Sequence, residues 1–316
     1  MVDQRPLGRS GLSTPPLMLG GNAFGWTADR AASFAVLDAF VAGGGTLIDT
    51  ADVYSRWVPG NKGGESETLI GEWLKASGKR DRVLIATKVG MMDGPEGHGL
   101  EPRHIMSAVE ASLRRLGTDR IDLYFAHKDD PETPLEDALG AFDRLVRDGK
   151  VRAIGASNFT AKRLAAALAA SDAGGLARFT VLQPLYNLVE RGEFEGALQD
   201  LCVREEIGVV PYYGLASGFL TGKYRTPADL EGHARGGRAA DFLNPTGLAV
   251  LAEMDRVAAE TGASLAAIAL AWLAAQPGIV APIASARTAA QVEELLSGAA
   301  LRLSPDQLSR LSTAGC

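Results

Sequence analysis

Thr46-Leu-Ile-Asp49-Thr-Ala-Asp-Val-Tyr54 is the segment from which the architecture follows: an apolar run of strand length, closed by an acid, with a tyrosine five residues later. Two other runs share this design. Val83-Leu-Ile-Ala-Thr-Lys88 ends in a lysine, and Ile121-Asp-Leu-Tyr-Phe-Ala-His127 ends in a histidine. Each run suits a buried strand, and a parallel barrel aims the carboxyl ends of its strands at one mouth. The sequence therefore predicts that these four ionisable side chains meet.

Short apolar runs alternate with segments of helical periodicity along the whole chain, which is the pattern of repeated βα units. The predicted strands are 16–19, 46–49, 83–88, 121–127, 151–157, 179–183, 208–213 and 279–283. The predicted helices are 31–42, 67–76, 103–116, 134–147, 161–170, 193–205, 248–260, 264–276, 289–297 and 305–314. A long polar stretch, 226–244, precedes the helix 248–260. No Pro/Ser-rich linker divides the chain. We predict an α/β fold, a single (β/α)8 TIM-barrel domain over 1–316, rather than a doubly wound sheet, because the Gly-x-Gly-x-x-Gly fingerprint is absent.

Composition narrows the class of protein. The 316 residues carry a net charge of −6, which argues against a nucleic-acid partner. Cys202 and Cys316 are too few for a disulfide framework, and no metal-ligand spacing is found. The N-terminus lacks an apolar signal core, and no apolar run approaches the ~20 residues of a membrane helix. We expect a soluble cytoplasmic protein without a membrane partner, monomeric or weakly homo-oligomeric.

The four strand-end groups suit proton transfer to a substrate. A tyrosine titrates near pH ~10 in water, and an ammonium within hydrogen-bond reach lowers that pKa. A carboxylate beside the lysine keeps it charged and in place, and an imidazole can orient or polarise a carbonyl oxygen. Asp49, Tyr54, Lys88 and His127 are therefore the predicted catalytic residues.

With these motifs the chain resembles the aldo-keto reductases over nearly its whole length. The resemblance implies that Tyr54 is the general acid of a tetrad with Asp49, Lys88 and His127. Ile154-Gly-Ala-Ser-Asn-Phe159 resembles the strand end whose Ser and Asn hold the nicotinamide carboxamide. Ser157, Asn158 and Gln183 would form that grip, and Tyr212 would stack on the nicotinamide ring.

The same resemblance implies where the rest of a dinucleotide binds. Leu215-Ala-Ser-Gly-Phe-Leu-Thr-Gly-Lys223 resembles the loop around the pyrophosphate, where small residues let backbone N–H groups approach phosphate. The cofactor residues implied in all are Gly21, Asn22, Asp49, Ser157, Asn158, Gln183, Tyr212, Leu215, Ser217, Gly218, Leu220, Lys223, Ser285, Ala286, Arg287, Gln291 and Glu294. A cation at a helix N-terminus suits a 2′-phosphate, so NADP(H) is favoured and NAD(H) is the alternative. The chain departs from its relatives at Ser285, at Leu295 in place of a common Asn, and at Tyr213-Gly214 in place of Ser-Pro.

Substrate residues are predicted from their positions. Trp26 and Trp57 could wall the pocket beside Tyr54 and His127, offering flat apolar faces to a sugar or ring compound. The predicted substrate is a small carbonyl compound or its alcohol. Two other functions are weighed: a cofactor-binding regulatory subunit like the channel-associated relatives, and a glycosidase. The glycosidase needs two facing carboxylates, for which Asp49 and Asp52 are nearest, but the resemblance assigns Asp49 to Lys88.

Overall fold

Eight parallel strands form a closed barrel in the computed structural model, which describes residues 3–232 and 235–314. The strands are β3 (Met18–Gly20), β4 (Leu47–Asp49), β5 (Leu84–Val89), β6 (Ile121–Ala126), β7 (Val151–Ser157), β8 (Phe179–Gln183), β9 (Gly208–Val209) and β10 (Ile283–Ala284), after a hairpin of β1 (Arg5–Pro6) and β2 (Ser13–Thr14). They pair in chain order from β3 to β9, and β10 pairs with β3. The Val280 N–H donates to the Val209 carbonyl (2.8 Å) and the Ile283 N–H to the Pro211 carbonyl (2.9 Å), which closes the ring between β9 and β10. The predicted (β/α)8 barrel is confirmed.

Helices surround the barrel. They are α1 (Arg30–Ala42), α2 (Glu65–Ser77), α3 (Pro102–Leu116), α4 (Leu135–Arg147), α5 (Ala161–Gly174), α6 (Ala197–Arg204), α7 (Gly236–Ala239), α8 (Pro245–Thr261), α9 (Leu265–Ala274), α10 (Ala289–Ala300) and α11 (Pro305–Ala314). Side chains of Asp29, Thr160, Asn244, Ser264 and Thr288 accept N–H bonds at helix starts. Such caps satisfy donors that a helix leaves unpaired. The short α7 lies within the polar stretch 226–244, where no element was predicted.

The last two strands are shorter than predicted, and β10 begins at Ile283, where the predicted strand 279–283 ends. The runs 208–213 and 279–283 contain Pro211 and Pro282, which have no N–H to donate to a ladder. Tyr213 also leaves the extended region, with φ of 56°. These positions still hydrogen-bond across the seam, so the barrel closes through single bridges rather than long ladders.

The interior has two layers. Inward-facing residues, such as Leu47, Ala86 and Leu123, fill the barrel, and a larger apolar cluster lies between strands and helices. The β1–β2 hairpin covers the amino end of the barrel, where Leu7 and Leu12 join the inner cluster. The carboxyl end is thus left for a site.

Cys202 is buried and free, whereas Cys316 lies outside the described residues. Within 3–232 and 235–314, no single helix has both the length and the hydropathy to cross a membrane. Helices α8 and α9 reach those criteria only as a pair, across a bend of 97°.

Candidate active site

A cleft of about 510 Å³ opens at the carboxyl end of the barrel. It collects most of the predicted site residues. Those on its wall are Asn22, Asp49, Tyr54, Trp57, His127, Ser157, Asn158, Gln183, Tyr212, Leu215, Ser217, Gly218, Lys223, Ser285, Arg287, Gln291 and Glu294. The chain therefore brings together groups from β4, from the ends of the five strands β6 to β10, and from α10.

Five predicted residues do not line the cleft. Lys88 is fully buried behind Tyr54. Gly21, Leu220 and Ala286 are buried in the wall with no side chain facing the cleft, so any part they have in binding is limited to packing or backbone atoms. Trp26 lies behind Trp57, with ring centroids 5.6 Å apart, and is a support for that residue rather than the wall itself.

Lys88 is held by three acceptors. Its Nζ donates to Asp49 Oδ1 (2.7 Å), to the Thr50 carbonyl (2.7 Å) and to the Tyr54 hydroxyl (2.9 Å). An ammonium has three N–H donors, so this arrangement satisfies the charged form completely. Burial lowers the pKa of Lys88, and the Asp49 carboxylate opposes that change. The geometry therefore favours a charged lysine in contact with the phenol.

The Tyr54 hydroxyl lies between Lys88 and Asp49. It accepts from Lys88 and donates its proton to Asp49 Oδ2 (3.0 Å). Burial, and then the Asp49 charge, raise the pKa of Tyr54 well above its ordinary value. The lowered pKa expected from the sequence is not met in this structure, because desolvation disfavours the phenolate. Tyr54 is consequently a protonated acid whose conjugate base would have a cation beside it.

His127 is a neutral imidazole at the floor of the cleft. Burial, with the nearby Lys88 charge, lowers its pKa well below the usual value. Its Nδ1 is buried without a hydrogen-bond partner among the described residues, and its ring is 6.1 Å from that of Tyr54. A neutral imidazole carries one N–H donor, which can bind a carbonyl oxygen placed near the phenol.

Polar side chains opposite Tyr54 form a hydrogen-bonded network. Asn158 Nδ2 donates to the His127 carbonyl (2.9 Å), and its Oδ1 accepts from the Tyr212 hydroxyl (2.7 Å). Gln183 Nε2 donates to Asp49 Oδ1 (3.0 Å), and the Ser157 hydroxyl donates to the Gln183 carbonyl (2.9 Å). Asn158 is held at φ of 57°, a strained conformation of the kind found at functional sites. The network fixes amide groups that could bind a planar carboxamide.

A tight turn follows β9. Ala216, Ser217 and Gly218 all have left-handed φ, of 45°, 57° and 93°. Consecutive residues of this kind can present backbone N–H groups to an anion. A Cβ on Gly218 would lie 3.1 Å from Lys223 Nζ, so the ammonium sits directly against the turn. The turn and Lys223 together offer a site for a phosphate.

The far end of the cleft is made by the start of α10. Gln291 Oε1 accepts from the Arg287 N–H (2.8 Å), and Thr288 caps the helix. Ser285 Oγ donates to Asn22 Oδ1 (2.7 Å), which links β10 to the β3 end. The exposed Arg287 stands at this helix N-terminus, a favourable position for an anion.

Two arginines on the wall were not predicted. Arg235 contacts Asn22 Oδ1 (3.3 Å) and lies over the Trp26 ring (5.3 Å), and Arg238 pairs with Glu190 and lies over Tyr213. Burial, and then the charge of Arg287, lower the pKa of Arg235. Both come from the polar stretch 226–244. The sequence signal that could have identified them is the presence of basic residues in a long loop at the carboxyl face of the predicted barrel.

The mouth of the cleft is apolar and aromatic. Trp57 is 49% exposed and Met91 is 39% exposed, unusual values for large apolar side chains in this protein. Trp57 packs on Tyr54 with ring centroids 6.2 Å apart, and Tyr213 lies against Tyr212. Met91 and Tyr213 were also missed as wall residues from the sequence.

Comparison with known proteins agrees with this geometry. The sequence profile described as "Aldo/keto reductase family" matches residues 16–315. The chain is 35% identical to the uncharacterized oxidoreductase YrpG of Bacillus subtilis, over 97% of this chain and 94% of that protein. It is 30% identical to an aryl-alcohol dehydrogenase [NADP(+)] of Phanerodontia chrysosporium, over 96% and 83%. It is also 30% identical to a probable voltage-gated potassium channel subunit beta of Arabidopsis thaliana, over 93% and 90%. The chain belongs to the aldo/keto reductase family of oxidoreductases.

Proposed function

We propose that this protein is an NADP(H)-dependent reductase that interconverts an aldehyde or ketone and its alcohol, with Tyr54 as the proton donor. The observation that carries the proposal is the Tyr54 hydroxyl, held on the cleft floor between the Lys88 ammonium and the Asp49 carboxylate. When bound, the nicotinamide supplies the hydride that is exchanged with the carbonyl carbon.

The chain's own residues handle the oxygen and its proton. When a carbonyl oxygen lies near Tyr54 and the His127 imidazole, the Tyr54 hydroxyl turns its proton from Asp49 toward that oxygen. The oxygen then accepts from both groups, which polarises the carbonyl. Tyr54 then gives its proton to the developing alkoxide, and the Lys88 ammonium stabilises the phenolate left behind. In alcohol oxidation the same phenolate takes the proton back. Asp49 holds Lys88 and Gln183 in place throughout.

The donors of the cleft fit a dinucleotide with an extra phosphate. The Asn158 and Gln183 amides suit the carboxamide, and the Tyr212 ring suits the nicotinamide face. The turn at 216–218 with Lys223 suits the pyrophosphate. Arg287 and Arg235 both line the cleft, and the Arg287 charge acts on Arg235; a 2′-phosphate between them would relieve that repulsion. The relative named for NADP(+) supports the same choice.

The mouth favours a substrate with a flat apolar part. Trp57, Met91 and Tyr213 give contact area without buried charge. The likeness to a named aryl-alcohol dehydrogenase is consistent with a ring-bearing carbonyl compound. A cofactor-binding regulatory subunit is the second candidate, because one relative carries the name of a channel subunit. If the wild-type protein catalyses multiple turnovers, a function limited to cofactor binding is excluded.

The test is NADPH consumption with an aromatic aldehyde, by wild type and by Tyr54→Phe. The variant keeps the ring that packs on Trp57 but loses the proton, so we expect turnover to fall at least ~100-fold with NADPH affinity nearly unchanged. Tyr186→Phe is the matched control, since this buried phenol bonds Glu195 outside the cleft and its loss should leave turnover intact. Full activity in Tyr54→Phe would refute the assignment. Tight NADPH binding without wild-type turnover on any aldehyde would favour the regulatory subunit.

A further inference from the structure

Asp52 is a buried carboxyl group that the proposed reaction does not use. It lies in the turn between β4 and α2, three residues beyond Asp49, and is 1% exposed. Among the described residues, neither carboxyl oxygen has a partner with good hydrogen-bond geometry, and the adjacent Val53 N–H is the one amide that acts on the carboxylate. Its backbone N–H reaches the Lys88 carbonyl (3.4 Å), so the turn runs along the strand that carries the lysine. A carboxyl in this position is expensive to ionise.

The neighbours of Asp52 explain why it lacks a counter-charge. Glu67 on α2 is also fully buried, but its oxygens accept from the Thr87 hydroxyl (2.6 Å) and from Arg115 Nε (2.6 Å). Arg115, from α3, is thus engaged by Glu67. Tyr124 on β6 places a buried hydroxyl near Asp52, also without a hydrogen-bond partner within the described part of the chain. Lys88 is the other cation of the described residues whose charge acts on Asp52.

These surroundings move the titration of Asp52 into the neutral range. Burial, and then the charge of Glu67, raise the pKa of Asp52 to about 7, against the opposing effects of Arg115, the Val53 amide and Lys88. His127 does not compete in this range, because its pKa is lowered well below the usual value. Near neutral pH, Asp52 therefore gains or loses charge.

We propose that Asp52 is a positioning residue that acts on Tyr54 through Lys88, and that its protonated form supports reduction. The proposal rests on the function proposed above. With Asp52 neutral, the Lys88 charge is directed at Asp49 and at the phenol. With Asp52 ionised, a second carboxylate partly compensates the charge of the same ammonium. Lys88 then stabilises less the phenolate that forms as Tyr54 gives up its proton. Reduction should therefore slow as pH rises through the titration of Asp52.

The experiment measures single-turnover reduction of an aldehyde at saturating NADPH, on both sides of pH 7, for wild type, Asp52→Asn and Tyr124→Phe. Wild type should slow on the order of tenfold from the acid to the alkaline side, the effect of one added unit charge at the effective dielectric of such sites. Asp52→Asn, neutral at every pH, should stay near the wild-type acid rate. Tyr124→Phe removes a buried polar atom from the same cluster but keeps the carboxyl, so it should retain the fall. An identical fall in Asp52→Asn would overturn the proposal.

A second readout does not depend on activity. Infrared spectra of protein labelled with ¹³C-carboxyl aspartate should show a protonated carboxylic acid band that is lost as pH rises through about 7. Loss of that band in Asp52→Asn, or its displacement in Tyr124→Phe if Asp52→Asn does not fold, assigns it to Asp52. An ionised Asp52 on both sides of pH 7 would overturn the proposal even if the enzyme turns over. Absence of turnover in wild type would instead reject the proposed function.

Discussion

At the scale of single residues, the hydrogen bonds at the floor of the cleft fix the position of each charged group. Lys88 uses all three of its N–H groups on Asp49, Thr50 and Tyr54, so its charge has one geometry available. The types of these groups could be predicted from the strand ends. The direction of the Tyr54 hydrogen bond, to Asp49, could not, because it depends on how three buried side chains share their donors and acceptors.

Removing the lysine charge should therefore cost both catalysis and stability. Lys88→Met keeps the stem volume but leaves Asp49 buried without its ion partner, which typically costs about 3–5 kcal/mol of folding free energy. We expect turnover to fall at least ~100-fold in the folded fraction, since the phenolate loses its cation. Thermal unfolding and pH–rate profiles check this, with the exposed Lys162→Met on α5 as control. If the pH–rate profile of Lys88→Met kept the part that reports the titration of Tyr54 in the wild type, the role of Lys88 would be refuted.

Arg287 offers a residue-scale test of cofactor choice. If its guanidinium binds a 2′-phosphate, Arg287→Ala should weaken NADPH binding by about 1–2 kcal/mol, the scale for a charge-assisted hydrogen bond at an exposed site. NADH lacks that phosphate and serves as the internal control. Titration of both cofactors by fluorescence quenching decides the matter. Equal losses for the two would mean that Arg287 supports the loop instead, and tighter NADH binding by wild type would reverse the preference.

At the scale of elements, the loops after the strands differ in how well sequence describes them. The turn at 216–218 could be predicted from its small residues. The stretch 226–244 could not, because a polar segment without periodicity carries no information about which side chains turn inward. Arg235 and Arg238 enter the cleft from there, and α7 forms within it. Tertiary contacts with Trp26, Tyr213 and Glu190 decide their positions.

The turn after β9 should tolerate no side chain at Gly218. Gly218→Ala would place a Cβ in a left-handed conformation and 3.1 Å from Lys223 Nζ, displacing the ammonium. We expect the Kd for NADPH to rise about tenfold or more, measured by calorimetry. Gly262→Ala is the matched control: its φ is 71°, but nothing lies within 4 Å of the added atom. It should lower stability and leave the Kd unchanged. Equal Kd values for both variants would contradict a phosphate site at the turn.

For the whole molecule, alternating apolar runs and helical periods predicted the barrel, because each βα unit must bury the same kind of strand. They did not predict where β9 ends or where β10 begins. Pro211 and the left-handed Tyr213 interrupt the first ladder, and Pro282 interrupts the second, although the apolar pattern alone would continue both. Candidate site residues as far apart as Asp49 and Glu294 were placed together by the family resemblance, and the geometry now shows them on one cleft.

The amino end of the barrel provides a test of stability without a change in the site. A Cβ on Gly8 would lie 2.2 Å from the Thr180 carbonyl, 2.7 Å from the Gly208 nitrogen and 2.8 Å from the Glu206 carbonyl, all backbone atoms that cannot move cheaply. Gly8→Ala should lower the free energy of unfolding by at least ~2 kcal/mol, seen as a lower Tm. Gly11→Ala, in the same hairpin with φ of 73° and open space around it, should cost less. A smaller effect at Gly8 than at Gly11 would contradict the packing of the hairpin.

The pairing of β3 with β10 also sets an order for biosynthesis. Met18 has to wait for Ile283 to leave the ribosome before the ring can close, and until then β3 and β9 are open edges able to pair with other chains. Such distant pairing makes closure a late event in folding. The segment that closes the ring continues directly into Ser285, Arg287 and the start of α10. A nascent chain therefore completes the α10 end of its cleft and its barrel in the same step, and a ligand captured there would hold the seam shut.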